Sequence, residues 1–230
     1  MLALEQLPPS ENGEYCCCSA LDLYDAPDGK ALATQAAVGR HLQVISSLPI
    51  QNAVQVRLCE DGYEAWLPLE QLTQLESATT PYRAIALSRA EIESRLAAVI
   101  AFAQAAMQQP NYYLWGGTVG PNYDCSGLIQ AAFAASGIWL PRDSYQQEAF
   151  TDTIAPADLL PGDLIFFGSE KVNHVALHLE DGYYIHSSGT EMGRNGIGID
   201  RLSAQADAIG RAYFQKFWSC GRVSASYQPQ

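Results

Sequence analysis

The passage from residue 113 to residue 135 constrains this chain most. Gly116-Gly117, Gly120-Pro121 and Asn122 break the backbone repeatedly. Asp124-Cys125-Ser126-Gly127 then opens onto the apolar run Leu128-Ile129, Ala131-Ala132-Phe133-Ala134-Ala135. Breakers followed by apolar residues at helical spacing predict a loop that turns into a helix. Cys125 falls on the first turn of that helix, and Asp124 falls at the capping position before it. Backbone N–H groups are unpaired there and the helix dipole favours an anion. A lowered thiol pKa and a reactive thiolate are therefore expected at Cys125. Small buried cysteines are common in cores, so other residues must decide between packing and chemistry.

A cysteine nucleophile needs a base and a group that orients the base. The chain has four histidines: His41, His174, His178 and His186. His174 and His186 lie on two predicted strands joined by Glu180-Asp181-Gly182. A two-residue Asp-Gly loop would put them on opposite faces. A three-residue loop pairs residue 179 with 183, sets His186 opposite Ala176 and brings both imidazoles to one face. Gly182 suits the left-handed position of the three-residue turn, so that register is expected. His178 is read as structural, and His41 receives no role.

Before this region the signals are those of short strands. Glu14–Tyr24, Arg40–Ser47, Ala53–Leu58 and Tyr63–Pro68 are β-rich, with turns at Pro27-Asp28-Gly29 and Asp61-Gly62. About five strands within residues 1–75, behind an N-terminal arm, predict a small all-β barrel. Residues 76–88 read as a linker. Ser88-Arg89-Ala90-Glu91 is a capping box that opens a helix carrying Ile92, Leu96, Val99, Ile100, Ala103 and Met107 on its apolar face. After the cysteine helix come a short helix near Pro141-Arg142-Asp143-Ser144 and a run of strands at 164–167, 172–180, 183–187, 195–202 and 217–223. Helices followed by strands predict an α+β domain over residues 89–230.

Composition narrows the partners. Across 230 residues the formal charge is −12, so nucleic acid and anionic membranes are excluded as partners on electrostatic grounds. No apolar run reaches the roughly 18 to 20 residues of a membrane span. Residues 1–9 lack the basic and apolar regions of a secretion signal, and a cytoplasmic location is expected. Of the six cysteines, Cys16-Cys17-Cys18 are read as strand residues, and no Cys-x-x-Cys signals zinc. No cofactor or metal is implied.

Tyr113-Leu114-Trp115-Gly116-Gly117, Asp124-Cys125-Ser126-Gly127-Leu128, Leu140-Pro141-Arg142, Leu160-Pro161-Gly162-Asp163-Leu164, His174-Val175-Ala176 and His186-Ser187 occur in this order. Together they resemble the successive motifs of the NlpC/P60 peptidases, which are papain-like cysteine peptidases of bacterial cell-wall peptides. Gly62-Tyr63-Glu64-Ala65-Trp66-Leu67 is similar to the closing strand of bacterial SH3-like domains, with Ala65 in place of a usual glycine. The resemblance implies Cys125 as nucleophile, His174 as base, His186 as its orienting partner and Tyr113 as a contributor to the oxyanion site. Trp115 would shape the cleft wall.

An SH3-like barrel joined to such a domain resembles recycling-type members. These are γ-D-glutamyl-L-diamino acid endopeptidases that act on small murein peptides with a free N-terminal L-Ala, the diamino acid being diaminopimelate or Lys. Such an ammonium needs an anion and hydrogen-bond acceptors. Asp124 is expected to supply the charge and Ser126 and Ser144 the acceptors. Tyr63 or Glu64 would reach from the barrel to close the cleft. A thiol-dependent acyltransferase on the same scaffold and a non-catalytic peptide-binding protein are the alternatives.

Overall fold

The computed structural model describes residues 7, 8 and 10–229. Its first part is one antiparallel sheet. The strands are β1 (Glu14–Cys17), β2 (Leu21–Tyr24), β3 (Leu32–Ala36), β4 (His41–Val44), β5 (Ala53–Leu58), β6 (Glu64–Pro68) and β7 (Leu75–Ser77), in the order β3-β2-β6-β5-β4-β1-β7. Alternation sends Val54, Val56 and Leu58 inward and Gln55 and Arg57 outward. The inward residues meet Leu21, Leu23, Leu42, Leu67 and Leu72 in a single buried cluster, so the sheet wraps around its own core. Ala65 puts its methyl group into that cluster. Cys17 belongs to the same core while Cys18 is exposed, as alternation along a strand requires.

Two boundaries differ from expectation. Residues 76 and 77 are not linker: β7 pairs with β1, with Cys16 opposite Glu76 and Tyr15 opposite Ser77, so the barrel runs to Ser77. The helix after Ser88 is two helices, α1 (Arg89–Glu93) and α2 (Leu96–Met107). The capping box at Ser88 and Glu91 is present. At the break the turn tightens: the Arg95 N–H bonds the Ile92 carbonyl at 2.9 Å and its guanidinium donates to the Ser136 carbonyl at 2.9 Å, while Ile92 and Leu96 reach the same core.

The second part pairs helices with a six-stranded antiparallel sheet. The cysteine helix is α3 (Cys125–Ala134), followed by α4 (Ser144–Phe150). The strands are β8 (Asp152–Ile154), β9 (Leu164–Gly168), β10 (Val172–His178), β11 (Tyr183–Ser188), β12 (Gly196–Arg201) and β13 (Phe217–Arg222), in the order β12-β11-β10-β9-β13-β8. Helix α5 (Ala208–Phe214) precedes β13. One face of the sheet, with Phe166, Val175, Leu177 and Ile185, packs on α2 and α3. The other, with Ile165, Phe167, Ala176 and Tyr184, is covered by Tyr213 of α5. Both faces are therefore buried, which is why β9 is apolar throughout instead of alternating. This is an α+β fold with an N-terminal SH3-like domain.

The two parts touch through directed hydrogen bonds. Thr118 Oγ1 donates to the Gln35 carbonyl at 2.8 Å, and Gln35 Oε1 accepts the Thr118 and Val119 N–H groups at 3.1 Å each. Gln130 Nε2 donates to Asp61 at 2.9 Å. Gly116 has a positive φ of 79°, and a Cβ there would run into the Leu32 backbone at 2.6 Å. Glycine thus lets the loop before Cys125 lie directly against the barrel.

Candidate active site

Asp124 caps α3: its Oδ1 accepts the Gly127 N–H at 2.6 Å. Gly127 has no room for a side chain, because a Cβ would strike the Gly117 carbonyl. The Gly-rich loop is thereby pressed onto the first turn of α3, and Cys125 is fixed at its start. The hairpin between β10 and β11 has the three-residue form. Leu177 opposes Ile185, and the Leu179 N–H bonds to the Tyr183 carbonyl. Asp181 and Gly182 both take positive φ. His174 and His186 share one face, and His174 Nε2 lies 2.7 Å from His186 Nδ1. A register shift in β10 between Val172 and His174 marks a bulge, which re-aims the histidine at the end of the strand. Backbone N–H groups of Val175 and Ser126 point at the Cys125 sulfur, so the thiol sits beside the His174 segment.

The protonation states differ from the expected thiolate. Burial and the neighbouring Asp124 carboxylate push the Cys125 thiol up to about 12, and the N–H groups of Val175 and Ser126 only partly offset this. Burial, then His186, holds His174 well below its usual 6.5. The resting pair is a thiol and a neutral imidazole. The helix start is overridden because the sulfur is enclosed and the capping carboxylate lies next to it.

The cleft onto which Cys125 opens has a volume of about 360 Å³. Tyr113, Trp115, Asp124, Ser126 and Ser144 line it with Cys125. Trp115 is 72% exposed and stands at the rim instead of in the core. The barrel supplies Asp25, Leu32, Ala33 and Tyr63. Glu64, offered above as a closing residue, lies elsewhere: it points outward from β6 and pairs with Arg57, with Nε at 3.0 Å. Strand alternation sends Glu64 out and Ala65 in.

Asp124 also needs correction as the free anion. Arg142 Nη2 donates to its Oδ2 at 2.6 Å and Nη1 to its Oδ1 at 3.2 Å, with the Gly116 N–H adding 2.9 Å to Oδ2. Both partners are buried. The carboxylate is neutralised and its acceptor sites are occupied. Arg142 is spent as well, on Ser126 at 2.9 Å and on Thr34 of the barrel at 2.9 Å. Asp143, at the N-cap of α4, is the next carboxylate on the cleft wall. Burial raises it above the usual carboxylate value, with Arg142 acting against that. Ser144 is the first residue of α4 and not its cap.

Sequence reasoning passed over Asp200. His186 Nε2 lies 2.7 Å from Asp200 Oδ2, and Arg194 Nη2 holds the other oxygen at 2.7 Å. No sequence motif marks it; its inward position follows from the pairing of β12 with β11. The remaining histidines hold structure together: His178 Nδ1 meets the Leu160 carbonyl at 3.0 Å, and His41 lies 3.3 Å from Glu14 in the barrel. Among the described residues no cluster of three or more metal-ligating side chains occurs, and no helix is long and apolar enough to cross a membrane.

The NlpC/P60 family model matches residues 110–222, and the bacterial dipeptidyl-peptidase Sh3 domain matches residues 23–72. A gamma-D-glutamyl-L-lysine dipeptidyl-peptidase of Bacillus cereus is 41% identical over 83 residues, covering 34% of this chain and 25% of its own length. Its Bacillus subtilis counterpart is 38% identical over 82 residues, covering 34% and 28%. The chain thus spans about a quarter of these curated relatives. A solved NlpC/P60 family protein from Bacillus cereus shares the fold, with a TM-score of 0.50 and 24% identity over 92% of this chain and 63% of its own. The chain thus carries an NlpC/P60 family domain over residues 110–222, preceded by a bacterial SH3 domain of the dipeptidyl-peptidase type over residues 23–72.

Proposed function

We propose that this protein hydrolyses the bond between γ-D-Glu and the diamino acid of small murein peptides with a free N-terminal L-Ala, acting in cytoplasmic recycling of wall fragments. The observation that carries this reading is the shape of the cleft. Cys125 lies on its floor, with Val172 and Asn173 of the His174 strand beside it, and barrel residues Asp25 and Tyr63 stand on its wall. A cleft walled in this way suits a short peptide end better than a long cross-linked chain.

The chemistry follows from the residues. His174 Nε2 is turned to His186, so Nδ1 is the ring nitrogen left for the thiol. It takes the Cys125 proton as sulfur attacks the γ-carbonyl carbon. The first-turn N–H of Cys125 and the hydroxyl of Tyr113, which lines the same cleft, would meet the oxyanion. His174 then returns the proton to the departing amine, and a water releases the acyl group. Tyr113 stays a neutral donor throughout, because burial and the nearby Cys125 and Asp124 raise its pKa.

The ammonium of L-Ala requires a carboxylate that is not already paired. Asp143 fills that role in place of Asp124, with Asp25, Tyr63 and the Ser126 and Ser144 hydroxyls around it. Tyr63 lies close enough to Asp143 that the carboxylate adds to the burial that pushes its phenol up to about 12. Lys171 lines the cleft on the β10 side and, unlike Arg142, has no carboxylate ion pair among the described residues. It is available to the free α-carboxylate that a γ-linked D-Glu retains.

Incubation with L-Ala-γ-D-Glu-L-Lys and its diaminopimelate counterpart, followed by mass spectrometry, tests the proposal. The dipeptide L-Ala-γ-D-Glu and the free diamino acid are the expected products. Cleavage between L-Ala and D-Glu, or no cleavage of either peptide, would refute it.

A further inference from the structure

We propose that Asp200 is a positioning residue that sets the tautomer of both catalytic-site histidines, so that His174 presents a bare Nδ1 to Cys125. This rests on the cysteine peptidase reading above. The side chains form one line that runs inward from the half-buried Arg194: Arg194 Nη2 to Asp200 Oδ1 at 2.7 Å, Asp200 Oδ2 to His186 Nε2 at 2.7 Å, and His186 Nδ1 to His174 Nε2 at 2.7 Å. His186 is fully buried and Asp200 nearly so.

Neutral imidazole carries one N–H, and an ionised carboxylate only accepts. Burial disfavours the Asp200 charge, yet the hydrogen bonds and charges of His186 and Arg194 hold its pKa below the usual carboxylate value. Burial keeps His186 below 6.5 despite Asp200, and it is neutral with one N–H. That N–H must sit on Nε2, where Asp200 accepts it. His186 Nδ1 is then an acceptor, so His174 must donate from Nε2. His174 Nδ1 is left with its lone pair free, as a base toward the thiol requires. Packing prevents the rings from escaping this order: Tyr213 lies 4.6 Å from the His174 ring and 4.8 Å from the His186 ring.

Arg194 makes the assignment testable. In Asp200→Asn the guanidinium keeps the amide oxygen, which turns the amide NH2 toward His186. His186 Nε2 must then accept, its Nδ1 must donate, and His174 must carry its proton on Nδ1. That blocks proton uptake from Cys125 without removing any group from the cleft. A misoriented base of this kind lowers kcat by about a hundred- to a thousand-fold or more, with KM little changed. In the double variant Arg194→Met/Asp200→Asn the amide is free to flip, and part of kcat returns.

The test combines murein-peptide kinetics with 15N NMR of the full chain labelled at histidine. The expected wild-type result is an Nε2–H tautomer at both His174 and His186, switching to Nδ1–H at both in Asp200→Asn as kcat falls. A wild-type His186 protonated on Nδ1 would overturn the assignment, and this readout stands even if the variant does not fold. So would an Asp200→Asn chain that keeps wild-type tautomers and kcat. A wild type that cleaves no murein peptide overturns the peptidase reading alone, because the tautomers are read without turnover.

Discussion

Replacing Cys125 with Ala is expected to abolish hydrolysis of L-Ala-γ-D-Glu-diamino acid peptides while leaving the fold intact. The sulfur lies in the cleft at the start of α3 and beside the His174 segment. Without it no acyl-enzyme forms, and the loss is at least about 10⁴-fold in kcat. The fold should survive because the side chain lost is one sulfur at a cleft floor, and Asp124 keeps its cap on Gly127. Steady-state kinetics alongside thermal unfolding checks both parts. A variant that retains turnover would remove Cys125 as the nucleophile. A variant that loses turnover but also loses its cooperative melt would say nothing for chemistry, and Cys125→Ser then serves as the milder replacement.

Arg142→Met is expected to have the largest effect on stability. Arg142 is among the largest fully buried side chains, and its guanidinium meets Asp124, Ser126, Thr34 and the Ala33 carbonyl. Removing it leaves the Asp124 carboxylate buried without its counter-charge, which costs about 3–5 kcal/mol. It also removes two of the hydrogen bonds that tie the barrel to the cleft wall. Chemical denaturation should show a lower midpoint, and the double variant Arg142→Met/Asp124→Asn should recover part of the loss, since the uncompensated charge is then gone. A single variant as stable as wild type would mean that the pair contributes nothing and that Asp124 is free to serve substrate after all.

Much of the site was legible in the sequence, for reasons that can be located. Cys125 was readable because a Gly-rich loop and a helix pattern meet there. The register of the histidine hairpin was readable because Gly182 selects a three-residue turn, and a shift of one residue would have separated the rings. What stayed hidden depends on contacts between distant segments. Arg142 looked like part of a Leu-Pro-Arg motif, and nothing local says that its guanidinium folds back on Asp124. That pairing moved the expected anion from Asp124 to Asp143, one residue beyond the arginine. Asp200 sits in no motif and becomes visible only when β12 is laid beside β11, with His186 opposite Gly198. Cys125 itself was misjudged in charge, because its distance from solvent cannot be read from a helix start. In the barrel, strands with clear alternation were evident, but β3 and the three-residue β7 take their place from pairing partners, β2 and β1, rather than from their own pattern.

The central claim is that the cleft reads a free N-terminal ammonium next to a γ-linked D-Glu. Its most direct test compares kcat/KM for L-Ala-γ-D-Glu-L-Lys with that for the same peptide acetylated at its N-terminus. Acetylation removes the charge that Asp143 would meet and adds bulk against the barrel wall at Tyr63. A loss of about a hundred-fold or more is predicted, the scale of leaving a buried charged group without its partner. Equal cutting of the free and acetylated peptides would contradict the account.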